Sequence, residues 1–127
     1  MAANAMKIRI IQAFGGIFAA IAVLLSAWLS HAGKELPLAS QNNIETSLLF
    51  AFIHVLAIFI VVILFNQTKR VALLYSGYLF LFGICAFSGV LILKAFVAVG
   101  VLAKLTPIGG MAFVLGWLIL AFVQPKE

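Results

Sequence analysis

The side chains most able to move a proton near neutrality, hold a metal or act as a nucleophile are few in this sequence. They are His31, His54, Cys85 and the glutamates Glu35, Glu45 and Glu127; there is no aspartate. Of these, His54 sits deepest in an apolar stretch. It follows Glu45 by nine residues, so it lies about 13 Å further along a helix. Ser47, Ala51 and His54 recur at i, i+4 and i+7 and share one small, polar helix face. An ionisable residue at such depth marks a site and should face protein or water. Three readings stand side by side. A neutral imidazole could specify packing by donating to a backbone carbonyl or to a hydroxyl such as Ser88 or Thr106. It could serve a proton or ligand pathway. It could bind a metal or haem. No apolar run offers a carboxylate partner, and proton relays need a chain of such groups.

His31 stands next to Gly33 and Lys34 at the end of an apolar run, where it can cap carbonyls and face the negative end of a helix dipole. The two histidines do not form a metal pair by spacing, and neither His-x-x-His nor Cys-x-x-Cys occurs. Cys85 allows no intrachain disulfide and reads as a small buried hydrophobe. There is no Ser–His–acid set in reach, no paired carboxylates and no phosphate loop. Gly109-Gly110 after Pro107 reads as close packing at a sharp helix entry more readily than as an anion site. The expectation is a protein with no catalytic residue, no metal and no cofactor.

The elements that must position these residues are drawn by charge. Residues 10–33, 46–68, 71–93 and 105–125 contain no Lys, Arg, Asp or Glu. Each run can cross a hydrocarbon layer of about 30 Å as a helix. Only 9% of residues are charged, against about a quarter in soluble domains, and the mean hydropathy is +1.29. The expected fold is all-α and integral to the membrane: one domain, 1–127, with transmembrane helices at about 8–30, 44–65, 71–93 and 107–123 in a compact bundle. Lys7 and Arg9 before an apolar run and Ser30-His31-Ala32 after it resemble a secretory signal, but the run exceeds the usual h-region of about 7–15 residues and reads as a retained span.

Between the spans, residues 32–43 form a polar loop, with Asn42 and Glu45 in the outline of an N-cap and its reciprocal acid. Asn66 to Arg70 make a tight turn and an antiparallel hairpin of helices two and three. Residues 95–103 are too short to cross; they either extend helix three or lie at the interface. Small residues form stripes that in lipid mark close helix contacts: Gly16, Ala20, Ala27 and His31 in helix one, Ser76, Gly83 and Ala86 in helix three, and Gly109, Ala112 and Gly116 in helix four. Trp28, Tyr75 and Tyr78 suit the interfacial belt. Trp117, about 15 Å beyond Pro107, lies near mid-membrane and reads as a packing residue. Gly15-Gly16 and Gly109-Gly110 are too little to define an inverted repeat.

The net charge of +5 is scattered in ones and twos at span ends. That excludes a nucleic-acid face and favours anionic headgroups. Lys7, Arg9, Lys69, Arg70 and Lys126 share one side, against Lys34, Lys94 and Lys104 on the other, so both termini are expected in the cytoplasm.

Phe87-Ser88-Gly89, followed by Thr106-Pro107-Ile108-Gly109-Gly110-Met111-Ala112-Phe113 and Gly116-Trp117, resembles a family of small inner-membrane proteins, domain of unknown function 423, with eukaryotic relatives called transmembrane protein 256. His54 matches the family's histidine in the second helix, and His31 that of its Ala-His-Gly segment. Trp28-Leu29-Ser30 and Ile92 depart from the family pattern. The resemblance implies four helices in a bacterial inner membrane, or the inner mitochondrial membrane in a eukaryote, and brings no agreed activity. Abundant packing stripes beside absent chemistry predict a non-enzymatic protein. Its partners would be the lipid bilayer and either further copies of itself or other membrane subunits. The alternative is a small permeation or ligand-binding protein with a polar cavity around His54.

Overall fold

A chain this apolar must satisfy its backbone polar groups internally, and a helix does so within one segment. The structure, a computed structural model, describes residues 1–124 and shows four long helices. They are α1 (Ala2–Ser30), α2 (Leu38–Thr68), α3 (Ala72–Lys94) and α4 (Leu105–Phe122). All four are long and apolar enough to cross a membrane. Lys126, counted above on the cationic side, and Glu127 lie outside the described residues.

α3 is the hub. It packs against α1 and α2 on one side and most extensively against α4 on the other. Half of the most apolar window of α2 is buried, against 17% for α1, so α2 and α3 form the centre and α1 presents most of its surface outward. The core is built from Ile11 of α1, Ile58 and Val61 of α2, and Leu73 and Phe80 of α3, all sealed from the exterior.

Local signals explain the helix ends. α1 stops at His31, whose backbone N–H donates to the Trp28 carbonyl at 3.1 Å, and a short 3-10 turn (Ala32–Glu35) follows. Pro37, with φ −53° and ψ 146°, launches α2. Helix two therefore starts six residues before the expected 44, and Glu45 lies two turns inside it. The expected cap by Asn42 and Glu45 is not formed. Gln41 ties the loop instead, donating from Nε2 to the carbonyls of Leu36 at 2.8 Å and Lys34 at 3.1 Å. At the other end Lys69 ends α2 in the left-handed conformation (φ 57°), and its N–H donates to the Phe65 carbonyl.

Residues 95–103 do not extend helix three as one continuous helix. The chain turns after Lys94, Gly100 takes φ 56°, and a 3-10 turn (Gly100–Lys104) leads into α4. The helix has already ended at Lys94, and the left-handed Gly100 redirects the chain into the turn that starts α4. Ala95 is buried with Ala22, Leu29, Ile44 and Leu48, and Phe96 packs on Trp28 at 5.8 Å.

Two packing expectations reverse. Cys85 is exposed rather than buried. Gly16, Ala20 and Ala27 face away from the bundle; the face that α1 buries carries Ile8, Ile11, Gly15, Ala22 and Leu29. The stripes in α3 (Ser76, Gly83, Ala86) and α4 (Gly109, Ala112, Gly116) are buried as expected.

Candidate functional site: a histidine cage between α2, α3 and α4

Within α3, residues Ile84–Gly89 form a π-helical segment, wider than the α-helix around it. It contains Phe87, Ser88 and Gly89. The segment is clamped from both sides. The Ser47 hydroxyl of α2 donates to the Ser88 carbonyl at 2.8 Å, and the Ser88 hydroxyl returns to the Ser47 carbonyl at 2.9 Å. On the other side α4 lies directly on its backbone: a Cβ at Gly109 would stand 2.6 Å from the Phe87 nitrogen and 3.0 Å from the Ala86 carbonyl carbon. One turn before, a Cβ at Gly83 would meet the Phe113 ring at 2.4 Å, and a Cβ at Gly116 would meet the Phe80 ring at 2.5 Å. Glycine at these positions is what lets α3 and α4 approach. Ser76 adds a hydrogen bond across the same contact, its hydroxyl donating to the Gly116 carbonyl at 3.0 Å.

This close approach places His54 of α2 among the aromatic rings of all three helices. The imidazole stacks on Phe113 with centroids 3.5 Å apart and planes 11° from parallel. Phe50, Phe80 and Trp117 complete the cage at 6.0, 5.6 and 5.9 Å. The ring is only 4% exposed.

Both ring nitrogens are engaged. Trp117 Nε1 lies 3.0 Å from His54 Nε2, and His54 Nδ1 lies 2.6 Å from the Phe50 carbonyl oxygen. The indole N–H can only donate, so Nε2 must be the acceptor. Nδ1 then carries the proton and donates to the carbonyl. The ring is the neutral Nδ1–H tautomer. A proton acceptor, metal ligand or haem ligand needs a free ring lone pair, and here Trp117 occupies it. The reading of His54 as lining a polar cavity gains no support from this packing.

The other residues singled out from the sequence are placed as follows. Ser88 is paired with Ser47, and Thr106 stands half-buried in the first turn of α4, so neither is the partner of His54. Pro107 is the third residue of α4, where no intrahelical donor is needed. Gly110 has only the Phe87 ring near, at 3.8 Å, and is far less constrained than Gly109. His31 is exposed at the end of α1 and caps that helix through its backbone, apart from the cage. Among the described residues, no group of three or more His, Cys, Asp or Glu could hold a metal ion.

Sequence reasoning overlooked Phe50, Phe80 and Phe113 as cage walls, the reciprocal serines, and above all the bond from Trp117 to His54. The last had a signal. A tryptophan at mid-membrane depth carries a donor that needs an acceptor, and His54 is the imidazole at comparable depth.

Two openings lie elsewhere, and His54 lines neither. One is an apolar groove of about 200 Å³ between α1 and α3, beside Cys85 and Gly89. The other is a cleft of about 580 Å³, lined by both polar and apolar residues, where the start of α1 meets the end of α2.

The family model described as protein of unknown function (DUF423) matches residues 25–110. The UPF0382 membrane protein SERP0230 of Staphylococcus epidermidis is 34% identical over 95% of this chain and 98% of its own length. The UPF0382 membrane protein YwdK of Bacillus subtilis is 31% identical over the same shares. A UPF0382 membrane protein of Haemophilus influenzae is 33% identical over 95% of both. No solved structure matches the chain.

Proposed function

Because this chain belongs to the DUF423 family, a family with bacterial membrane-protein members and thus at home in the bacterial inner membrane, we propose that it acts by association within that membrane. It would work as a homo-oligomer or as an accessory subunit of a larger complex, and not by catalysis. The observation that carries this reading is the two-faced character of α1. One face is buried in the bundle through Ile8, Ile11, Gly15 and Ala22. The opposite face sets Gly16, Ala20 and Ala27 outward, and nothing lies within 4 Å of a Cβ placed on Gly16. Small residues allow a second helix to approach closely, which is the chief source of helix association in lipid.

The inner polar groups support the same reading. Among the described residues the buried polar side chains are Ser47, His54, Ser76 and Ser88, and each is hydrogen-bonded inside the bundle. Their hydrogen bonds run within and between the helices of the bundle. Counting cations in the connections further supports both termini in the cytoplasm; a C-terminal reporter active only outside the cytoplasm would reverse that orientation.

The decisive experiment is gentle extraction from native membranes, followed by mass measurement of the intact particle. A multimer, or a reproducible stoichiometric partner, is the expected result. A lone monomer with nothing co-purifying would end the proposal.

A further inference from the structure

At one end of the bundle, the first turns of α1 and the last turn of α2 enclose the cleft of about 580 Å³. Its floor is apolar, made by the buried Ile8 and Phe65, and its walls carry Arg9, Gln12, Asn66 and Lys69. Arg9 immediately precedes the charge-free run 10–33, and Lys69 immediately follows the run 46–68. The two cations therefore meet at the boundary between hydrocarbon and headgroup. Lys69 is held there by its backbone: the left-handed residue ends α2, and its ammonium lies 5.7 Å from the centre of the Phe65 ring, over the cleft floor. The positive end of α1 opens beside them, with no side-chain cap and no acid in its first turn. Among the described residues, none that lines the cleft is acidic.

We propose that this cleft binds a phosphate group, that of an anionic phospholipid headgroup. The guanidinium of Arg9 suits a phosphate as a planar two-pronged donor, Lys69 supplies a second charge, and the amides of Gln12 and Asn66 offer further N–H donors. The apolar floor accommodates the start of the lipid's glycerol and acyl portion, which separates this site from a simple ion trap. A free phosphate shares the recognised chemistry, and the test distinguishes the two. The inference does not depend on the association proposed above.

The full chain in detergent would be titrated with phosphatidylglycerol, with phosphatidylcholine, and separately with inorganic phosphate. Lipid binding is read by native mass spectrometry and phosphate binding by calorimetry. Wild-type protein should retain one phosphatidylglycerol in preference to phosphatidylcholine. Arg9→Gln with Lys69→Gln should weaken it about thirty-fold. Lys34→Gln with Lys104→Gln removes as much charge at the other end and should change little. Ala5→Trp fills the cleft without altering charge and should also weaken binding; it decides the matter if the double glutamine variant does not fold. Phosphate binding with the same dependence, in the absence of lipid binding, would keep the site and change its ligand to a soluble phosphate. Binding of neither ligand, binding indifferent to Arg9, Lys69 and Ala5, or an equal loss in the Lys34/Lys104 variant would overturn the proposal.

Discussion

At the scale of single residues, the bond from Trp117 to His54 makes the consequences of substitution asymmetric. Trp117→Phe keeps most of the bulk but leaves Nε2 of a buried imidazole without its donor. Losing one partner of a buried pair costs about 1–3 kcal/mol, whereas replacing both by apolar groups of similar shape can be nearly neutral. His54→Phe preserves a ring against Phe113 and strands the indole N–H instead. We expect each single variant to lower the melting temperature in detergent, and the double variant to cost less than the two together by about 1 kcal/mol. Strict additivity in that cycle would show that the two side chains do not depend on one another. Ser47 and Ser88 should behave differently. Each hydroxyl donates to the other residue's backbone carbonyl, which the alanine variant retains. Ser47→Ala and Ser88→Ala should each cost about 0.6 kcal/mol, a typical intramembrane hydrogen bond, and their effects should add.

At the scale of elements, the contact between α3 and α4 is set by where a Cβ is forbidden. At Gly109 a methyl group would strike the Phe87 and Ala86 backbone, which has no rotamer with which to yield. Gly109→Ala should therefore force the helices apart and cost about 1–3 kcal/mol or more, as overpacking does. Gly110→Ala should be tolerated, and Gly16→Ala should leave the monomer at least as stable, by up to about 1 kcal/mol from helix propensity. Thermal unfolding of the three variants in one detergent tests the ranking; equal losses at Gly109 and Gly110 would mean the helices do not meet at Gly109. The end of α2 supplies the opposite case. Lysine in the left-handed region is strained, so Lys69→Gly should raise stability by about 0.5–1 kcal/mol while removing a cation from the phosphate cleft. A gain in stability with a loss of phosphatidylglycerol binding would show that this lysine is retained for its charge.

At the scale of the whole molecule, α1 is the least buried of the spans and the one with a small-residue face left outward. Gly16→Leu places a bulky side chain on that face without touching the core. The expected outcome is a folded monomer with native helix content that no longer assembles, seen as a shift of particle mass in mild detergent. Unchanged assembly would move the association face to another helix. Much of the architecture that frames this test was legible beforehand, because the charge-free runs bracket all four spans. The ends were less legible. The outline of a cap at Asn42 and Glu45 was outcompeted by Pro37, which fixes the backbone before the helix, and by Gln41, which closes the loop from one residue earlier. The fate of the small-residue stripes was not legible either, since a stripe states that a close approach is possible and not which neighbour makes it.

What the sequence determined by itself is membrane residence, the number of spans and the family. Those follow from the absence of charge over long runs and from the order of residues in the last helix. Only the tertiary structure decided what His54 touches. Its two nitrogens are answered by a carbonyl one turn away in α2 and by an indole 63 positions later in α4. That second partner reaches it only because Gly109 and Gly116 let α4 settle onto α3. A hydrogen bond between distant helices depends on their separation to within a few tenths of an ångström, and no local pattern of residue types encodes such a distance.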